Sequence, residues 1–278
     1  MDVTITADAL ADALAGPTPP VLLDVRWSLA EPDGRPAYRT GHVPGAVFVD
    51  LETELARRDH EPSDGRHPLP EEAAFTAAMR RWGIRAGDAV VAYDDLGNQS
   101  AARAWWLLRH AGVADVRLLD GGLGAWRSAG LPLEAGEVQP TLGDATARYG
   151  HLPVLDIDGA ERMPRSGVLL DARAAARYRG EVEPVDPVAG HIPGAASAPT
   201  AGNLDADDRF LPADVLRNRY AALGVADGRP VAAYCGSGVT AAHAVAALAI
   251  AGVDAALYPG SWSQWANTPG RPIETGGA

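Results

Sequence analysis

The chain is written twice, in the same order each time. Val21-Leu22-Leu23-Asp24-Val25-Arg26 returns as Val168-Leu169-Leu170-Asp171-Ala172-Arg173, and Gly41-His42-Val43-Pro44-Gly45-Ala46 as Gly190-His191-Ile192-Pro193-Gly194-Ala195. Ala89-Val90-Val91-Ala92-Tyr93 answers to Pro230-Val231-Ala232-Ala233-Tyr234, and Gly121-Gly122-Leu123-Gly124-Ala125-Trp126 to Gly260-Ser261-Trp262-Ser263-Gln264-Trp265. A period of roughly 140 residues is several times a solenoid repeat and close to the size of an ordinary domain. The sequence therefore encodes a duplicated domain, and its 278 residues hold two copies and little else.

Within each copy, short aliphatic runs alternate with helical patterns. Val21–Val25, Val90–Tyr93 and Val116–Leu118 read as buried strands. Glu71–Trp82 and Ser100–Ala111 read as helices, the first opened by Pro70-Glu71-Glu72 and the second closed by Gly112. Such alternation predicts an α/β fold, each copy a mainly parallel sheet flanked by helices. Ligands in such sheets sit beyond the carboxyl ends of the strands. Glu134 to about Pro153 has no sustained period and is spotted with Gly, Pro and Thr, which reads as a linker with room for one short strand. The boundaries are set at 1–138 for the first copy, 139–153 for the linker and 154–278 for the second copy.

Composition removes several classes of function. Thirty-six acids against 24 bases leave a formal charge of −12, which opposes binding to nucleic acid or anionic lipid. A single cysteine excludes an intramolecular disulfide and a four-cysteine zinc site. The opening Met1-Asp2-Val3-Thr4 carries an acid and no basic region before an apolar core, so it does not read as a signal peptide. The longest apolar stretch, Ala241 to Val253, is interrupted by His243 and falls short of the roughly 20 residues a bilayer needs. The expectation is a cytoplasmic protein with no membrane or nucleic-acid partner.

What occurs in both copies is read as scaffold. His42 and His191 are thus expected to bond the backbone of their own turns, and the pairs Asp24/Arg26 and Asp171/Arg173 to form a buried ion pair or a turn clamp. The copies diverge after the third repeated strand. The first reads Tyr93-Asp94-Asp95-Leu96-Gly97-Asn98-Gln99-Ser100; the second reads Tyr234-Cys235-Gly236-Ser237-Gly238-Val239-Thr240-Ala241. The only thiol of the chain thus stands at a strand's carboxyl end, before small residues and a helix. There, converging N–H groups and the helix terminus stabilise a thiolate. That is the setting of a cysteine nucleophile.

Cys235-Gly236-Ser237-Gly238-Val239-Thr240-Ala241, the doubled Gly-His-x-Pro-Gly motif and the closing Pro259-Gly260-Ser261-Trp262-Ser263-Gln264-Trp265 resemble the two-domain rhodanese-type sulfurtransferases over essentially the whole chain. The resemblance implies tandem rhodanese-like domains, with Asp94 at the cysteine position of an inactive first copy. It implies transfer of a sulfane sulfur from thiosulfate or 3-mercaptopyruvate, through a Cys235 persulfide, to cyanide or a thiol, with no cofactor or metal. Gly236, Gly238, Val239 and Thr240 would shape the substrate loop, and Arg177 would face the cysteine. The resemblance further implies a relay of Cys235, Ser237, His67 and Asp50.

The loop string is that of the mercaptopyruvate members, whereas thiosulfate-preferring members carry cations after the cysteine. Against this, the mercaptopyruvate members place a second arginine where this chain has Asp186. If Asp186 faces the pocket, its charge would repel the donor's carboxylate, and Asp186→Arg would raise kcat/KM by roughly tenfold. Arg179 is the substitute nearest in sequence, though it reads as a surface residue. A cysteine phosphatase or arsenate reductase is disfavoured because Ala241 stands where an arginine is needed. A zinc hydrolase lacks its ligand cluster. A non-catalytic sulfur carrier or regulatory binding module is the remaining alternative, and the sequence names no protein partner.

Overall fold

The computed structural model describes residues 2–277. They form two compact units: one of residues 2–58, 69–152 and 205–210, the other of residues 59–68, 153–204 and 211–277. The units are therefore not contiguous in sequence. Residues 59–68 leave the first copy's chain and count with the second unit, and residues 205–210 do the reverse.

The first unit contains β1 (Thr4–Ile5), α1 (Ala7–Leu14), β2 (Val21–Asp24), α2 (Arg35–Thr40), β3 (Val47–Phe48), α3 (Leu51–Glu54), α4 (Glu72–Arg81), β4 (Val90–Tyr93), α5 (Ala101–His110), β5 (Val116–Leu119) and α6 (Gly122–Ser128). Its sheet is wholly parallel in the order β1-β5-β4-β2-β3. The second unit contains α7 (Ile157–Ser166), β6 (Val168–Asp171), α8 (Ala175–Tyr178), β7 (Ala196–Ser197), α9 (Ala213–Ala222), β8 (Val231–Tyr234), α10 (Thr240–Ile250), β9 (Ala256–Leu257) and α11 (Ser261–Ala266), with short 3₁₀ turns at Pro62–Asp64 and Thr200–Asn203. Its sheet, β7-β6-β8-β9, is also wholly parallel. α4 and α5 come out one residue shorter at each end than their sequence patterns, because the outermost residues serve as caps. Among the described residues, no helix is long and apolar enough to cross a membrane.

The duplication is kept bond for bond. Asp24 pairs with Tyr93 across β2/β4 as Asp171 pairs with Tyr234 across β6/β8. Arg26 folds back onto both oxygens of Asp24 and donates to the Gly41 carbonyl; Arg173 does the same with Asp171 and the Gly190 carbonyl. His42 Nδ1 bonds the Tyr38 carbonyl at 2.9 Å and His191 Nδ1 the Tyr178 carbonyl at 2.8 Å, each ring stacked on that tyrosine. These histidines fasten helix ends to the Pro-Gly turns, as the doubling predicts. Tyr93 and Tyr234 accept the amides of Val43 and Ile192. The doubled Asp–Arg, histidine and tyrosine positions therefore all hold the Gly-His-x-Pro-Gly turn or the residues beside it.

Residues 134–152, read in sequence as a linker, contain no strand and pack with the first unit. Gly143, Ala145 and Arg148 donate backbone bonds to the carbonyls of Arg80, Ile84 and Ala111, closing the carboxyl ends of α4 and α5. A segment paired through backbone groups needs no hydrophobic period, so pattern reading passes over it. Because both members of the Asp24–Arg26 pair are buried, Asp24→Ala strands a guanidinium whose remaining partner is one carbonyl. Loss of about 3–5 kcal/mol from the first unit is expected, read as an early transition in urea unfolding.

Candidate active site

Cys235 follows β8 directly and is 2% exposed. Its loop is tied from three sides. Cys235 N donates to Ser261 Oγ at 3.1 Å, the Cys235 carbonyl accepts from Trp262 N, and the Gly236 carbonyl accepts from Ser263 N. Gly238 turns the chain back with φ +79, where a Cβ would stand 2.4 Å from the Pro259 carbonyl oxygen, so only glycine fits. That turn brings Gly238 N to 3.1 Å from Cys235 Sγ. Val239 is the buried residue before α10, and Thr240 begins the helix, whose first turn carries no acid.

The first copy shows what this turn does when a carboxylate occupies it. Asp94 is fully buried, and its two oxygens accept from the amides of Leu96, Asn98, Ser100 and Ala101 and from the Ser100 hydroxyl, at 2.7–2.9 Å. Burial pushes this carboxyl above the usual range while the amides and hydroxyl pull it back. The loop is an anion cradle with its anion built in.

His67 and Ser237 share a 2.7 Å hydrogen bond between Nδ1 and Oγ, and both are buried. Segment 59–68 holds the histidine there: Arg66 N donates to Ser263 Oγ, and Gln264 Nε2 donates to the Ser63 carbonyl. Asp50 belongs to the first unit, where it precedes α3 and its amide donates to Glu54.

Arg177 lies beside the loop. A Cβ on Gly236 would stand 3.4 Å from Arg177 Nη1 and 3.3 Å from Arg66 Nη2. Arg177 is held by Glu183 through Nε and Nη2. Burial pushes the Glu183 carboxyl up, but the Arg177 bond and the Asp186 and Val185 amides outweigh it and hold it below the usual range. Asp186 points inward, its side chain 2% exposed, with Arg66 Nη1 at 2.9 Å and Arg177 Nη2 at 3.1 Å. Asp186 thus faces inward and its charge is met by two guanidinia. Arg179 does not compensate; it is on the surface with Glu181.

Two contributors escaped the sequence reading. Arg66 precedes His67 in a segment present in one copy only, and that single occurrence was the available signal. Ser261 stands where the first copy has Gly122, and both have φ +54. A serine in this left-handed conformation carries strain of roughly 1–2 kcal/mol. Its hydroxyl receives the Cys235 amide and donates to the Tyr258 carbonyl.

The model of the rhodanese-like domain matches residues 6–129 and again 157–268. SseB of Mycobacterium tuberculosis, described as a thiosulfate sulfurtransferase, is 50% identical over 280 residues, covering 99% of this chain and 98% of SseB. The 3-mercaptopyruvate sulfurtransferase of Escherichia coli is 35% identical over 278 residues, covering 97% of each chain. The crystal structure of SseA from Escherichia coli, described as a 3-mercaptopyruvate sulfurtransferase of rhodanese fold, superposes with a TM-score of 0.83 at 33% identity, over 94% of this chain and 99% of that one. The chain belongs to the rhodanese-like domain family and carries the domain twice.

The strained serine offers a direct check on how the loop is held. Ser261→Ala keeps the strain and loses both hydroxyl bonds, whereas Ser261→Gly loses the bonds and sheds the strain. Thermal unfolding is expected to show Ser261→Ala as the less stable of the two by about 1 kcal/mol.

Proposed function

We propose that this sulfurtransferase takes its sulfur from 3-mercaptopyruvate in preference to thiosulfate and carries it as a Cys235 persulfide. The observation that carries the reading is the 2.7 Å contact between His67 and Ser237, two places beyond the nucleophile. In the transfer step the Cys235 thiolate attacks the donor sulfur. The S–S bond forms as the C–S bond breaks, and the C–S electron pair leaves with carbon as the pyruvate enolate, which a proton converts to pyruvate. A donor thiol must surrender its proton on the way. Ser237 and His67 form a path for that proton toward the departing carbon. Thiosulfate has no such proton and leaves as sulfite.

Charge argues the same way. Arg66 and Arg177 are balanced by Asp186 and Glu183, and the positions after Cys235 are Gly236 and Ser237. A doubly charged donor finds no net positive charge here, while one carboxylate needs only a well-placed guanidinium.

The persulfide fits the cradle by atom count. Its outer sulfur is two bonds from Cβ, as a carboxylate oxygen of Asp94 is in the first copy. The matching loop amides, Ser237, Val239, Ala241 and Ala242, then stand in the order of those that hold Asp94. Return of the thiolate follows when an acceptor thiol or cyanide attacks that outer sulfur.

Cys235→Ser should abolish transfer, and mass spectrometry after donor treatment should find one added sulfur on the Cys235 peptide of the wild type only. Ser237→Ala should lower kcat with mercaptopyruvate by roughly a hundredfold and leave thiosulfate turnover within a few-fold. Equal losses on both donors, or a higher wild-type kcat/KM for thiosulfate, would overturn the donor assignment.

A further inference from the structure

We infer that Arg66 binds the donor: its guanidinium and that of Arg177 form a two-armed grip for a carboxylate beside Cys235, and Asp186 positions both arms. Asp186 takes one Nη from each arginine, Nη1 of Arg66 on Oδ1 and Nη2 of Arg177 on Oδ2. The other Nη of each, Nη2 of Arg66 and Nη1 of Arg177, has no hydrogen-bond acceptor among the described residues. These two atoms converge, standing 3.3 and 3.4 Å from the point a Cβ on Gly236 would occupy. Arg66 Nε is also buried without a partner. Two unused, charged N–H arms thus meet in the space left by the glycine that follows the nucleophile.

The counter-charges explain how the arms can lie so close. Side by side and part-buried, two guanidinia repel. Asp186 between them relieves that repulsion and fixes their separation, while Glu183 holds Arg177 from behind. A carboxylate presents two oxygens and can take one arm on each, the arrangement that makes arginine–carboxylate recognition directional. Arg66 therefore supplies the guanidinium missing at position 186, from a segment 120 residues away. A further arginine at 186 would remove the carboxylate that orients the other two.

This inference rests on the proposed carboxylate donor, so its test includes a probe that needs no sulfur transfer. Iodoacetate and iodoacetamide both alkylate a thiolate and differ in one carboxylate. In the wild type, Cys235 should favour iodoacetate over iodoacetamide more than free cysteine does, and Arg66→Ala should cut that preference roughly tenfold. In turnover with mercaptopyruvate, Arg66→Ala should raise KM about tenfold with kcat within about threefold, and Arg66→Lys should recover part of the loss. Asp186→Asn and Asp186→Arg should both raise KM. An unchanged alkylation preference in Arg66→Ala, a loss confined to kcat, or a lowered KM in Asp186→Arg would overturn the inference. If the wild type turns over thiosulfate alone, the donor reading fails, and the alkylation ratio still decides whether Arg66 grips a carboxylate.

Discussion

Amides turned toward one buried point demand a negative charge there, and the first copy's loop meets that demand with Asp94. The parallel sheet places the turn at the carboxyl end of its central strand. The doubled Asp–Arg pairs, stacked histidines and tyrosine hydroxyls hold the neighbouring turns rigid around it. In the first copy the Asp94 carboxylate answers the demand, accepting from four loop amides. In the second copy a thiol stands at the same position and draws a single amide. A sulfur one bond from Cβ reaches less far into the loop than carboxylate oxygens two bonds from theirs.

The surrounding charges follow a second economy. Two arginines lie beside the nucleophile, and two acids hold them. A net charge near zero forgoes long-range attraction and keeps direction. For an acidic chain of formal charge −12, capture of an anion must rest on such local geometry. Asp186 shows how the sign of a contribution depends on neighbours. Alone it would add a negative charge beside the cysteine loop, yet here it pairs with both Arg66 and Arg177.

Much of this was legible in the chain because duplication acts as an internal control. Comparing the halves separated Cys235 from Asp94 and marked the histidines as turn fasteners. Hydrophobic period located the central strands and helices. What stayed hidden was long-range pairing of polar groups. Nothing in Gly65-Arg66-His67 states that its arginine meets residue 186, and local pattern cannot report contacts across 120 positions. The strap formed by 134–152 was hidden for a related reason, since backbone bonds to helix ends leave no mark in side-chain pattern. Ser261 was within reach: its opposite number is Gly122, and a side chain where the other copy needs none marks a position put to use.

The assignment of residues 59–68 to the second unit also sets a timetable for synthesis. His67 leaves the ribosome 170 residues before Ser237. At about 5–20 residues per second, roughly 10–30 s separate the two. During that interval β4 and β5 are made and the first copy's sheet can be completed, while His67 waits for β8 and α10. Segment 59–68 therefore meets its partners Asp186, Ser237 and Ser263 one after another, long after its own synthesis.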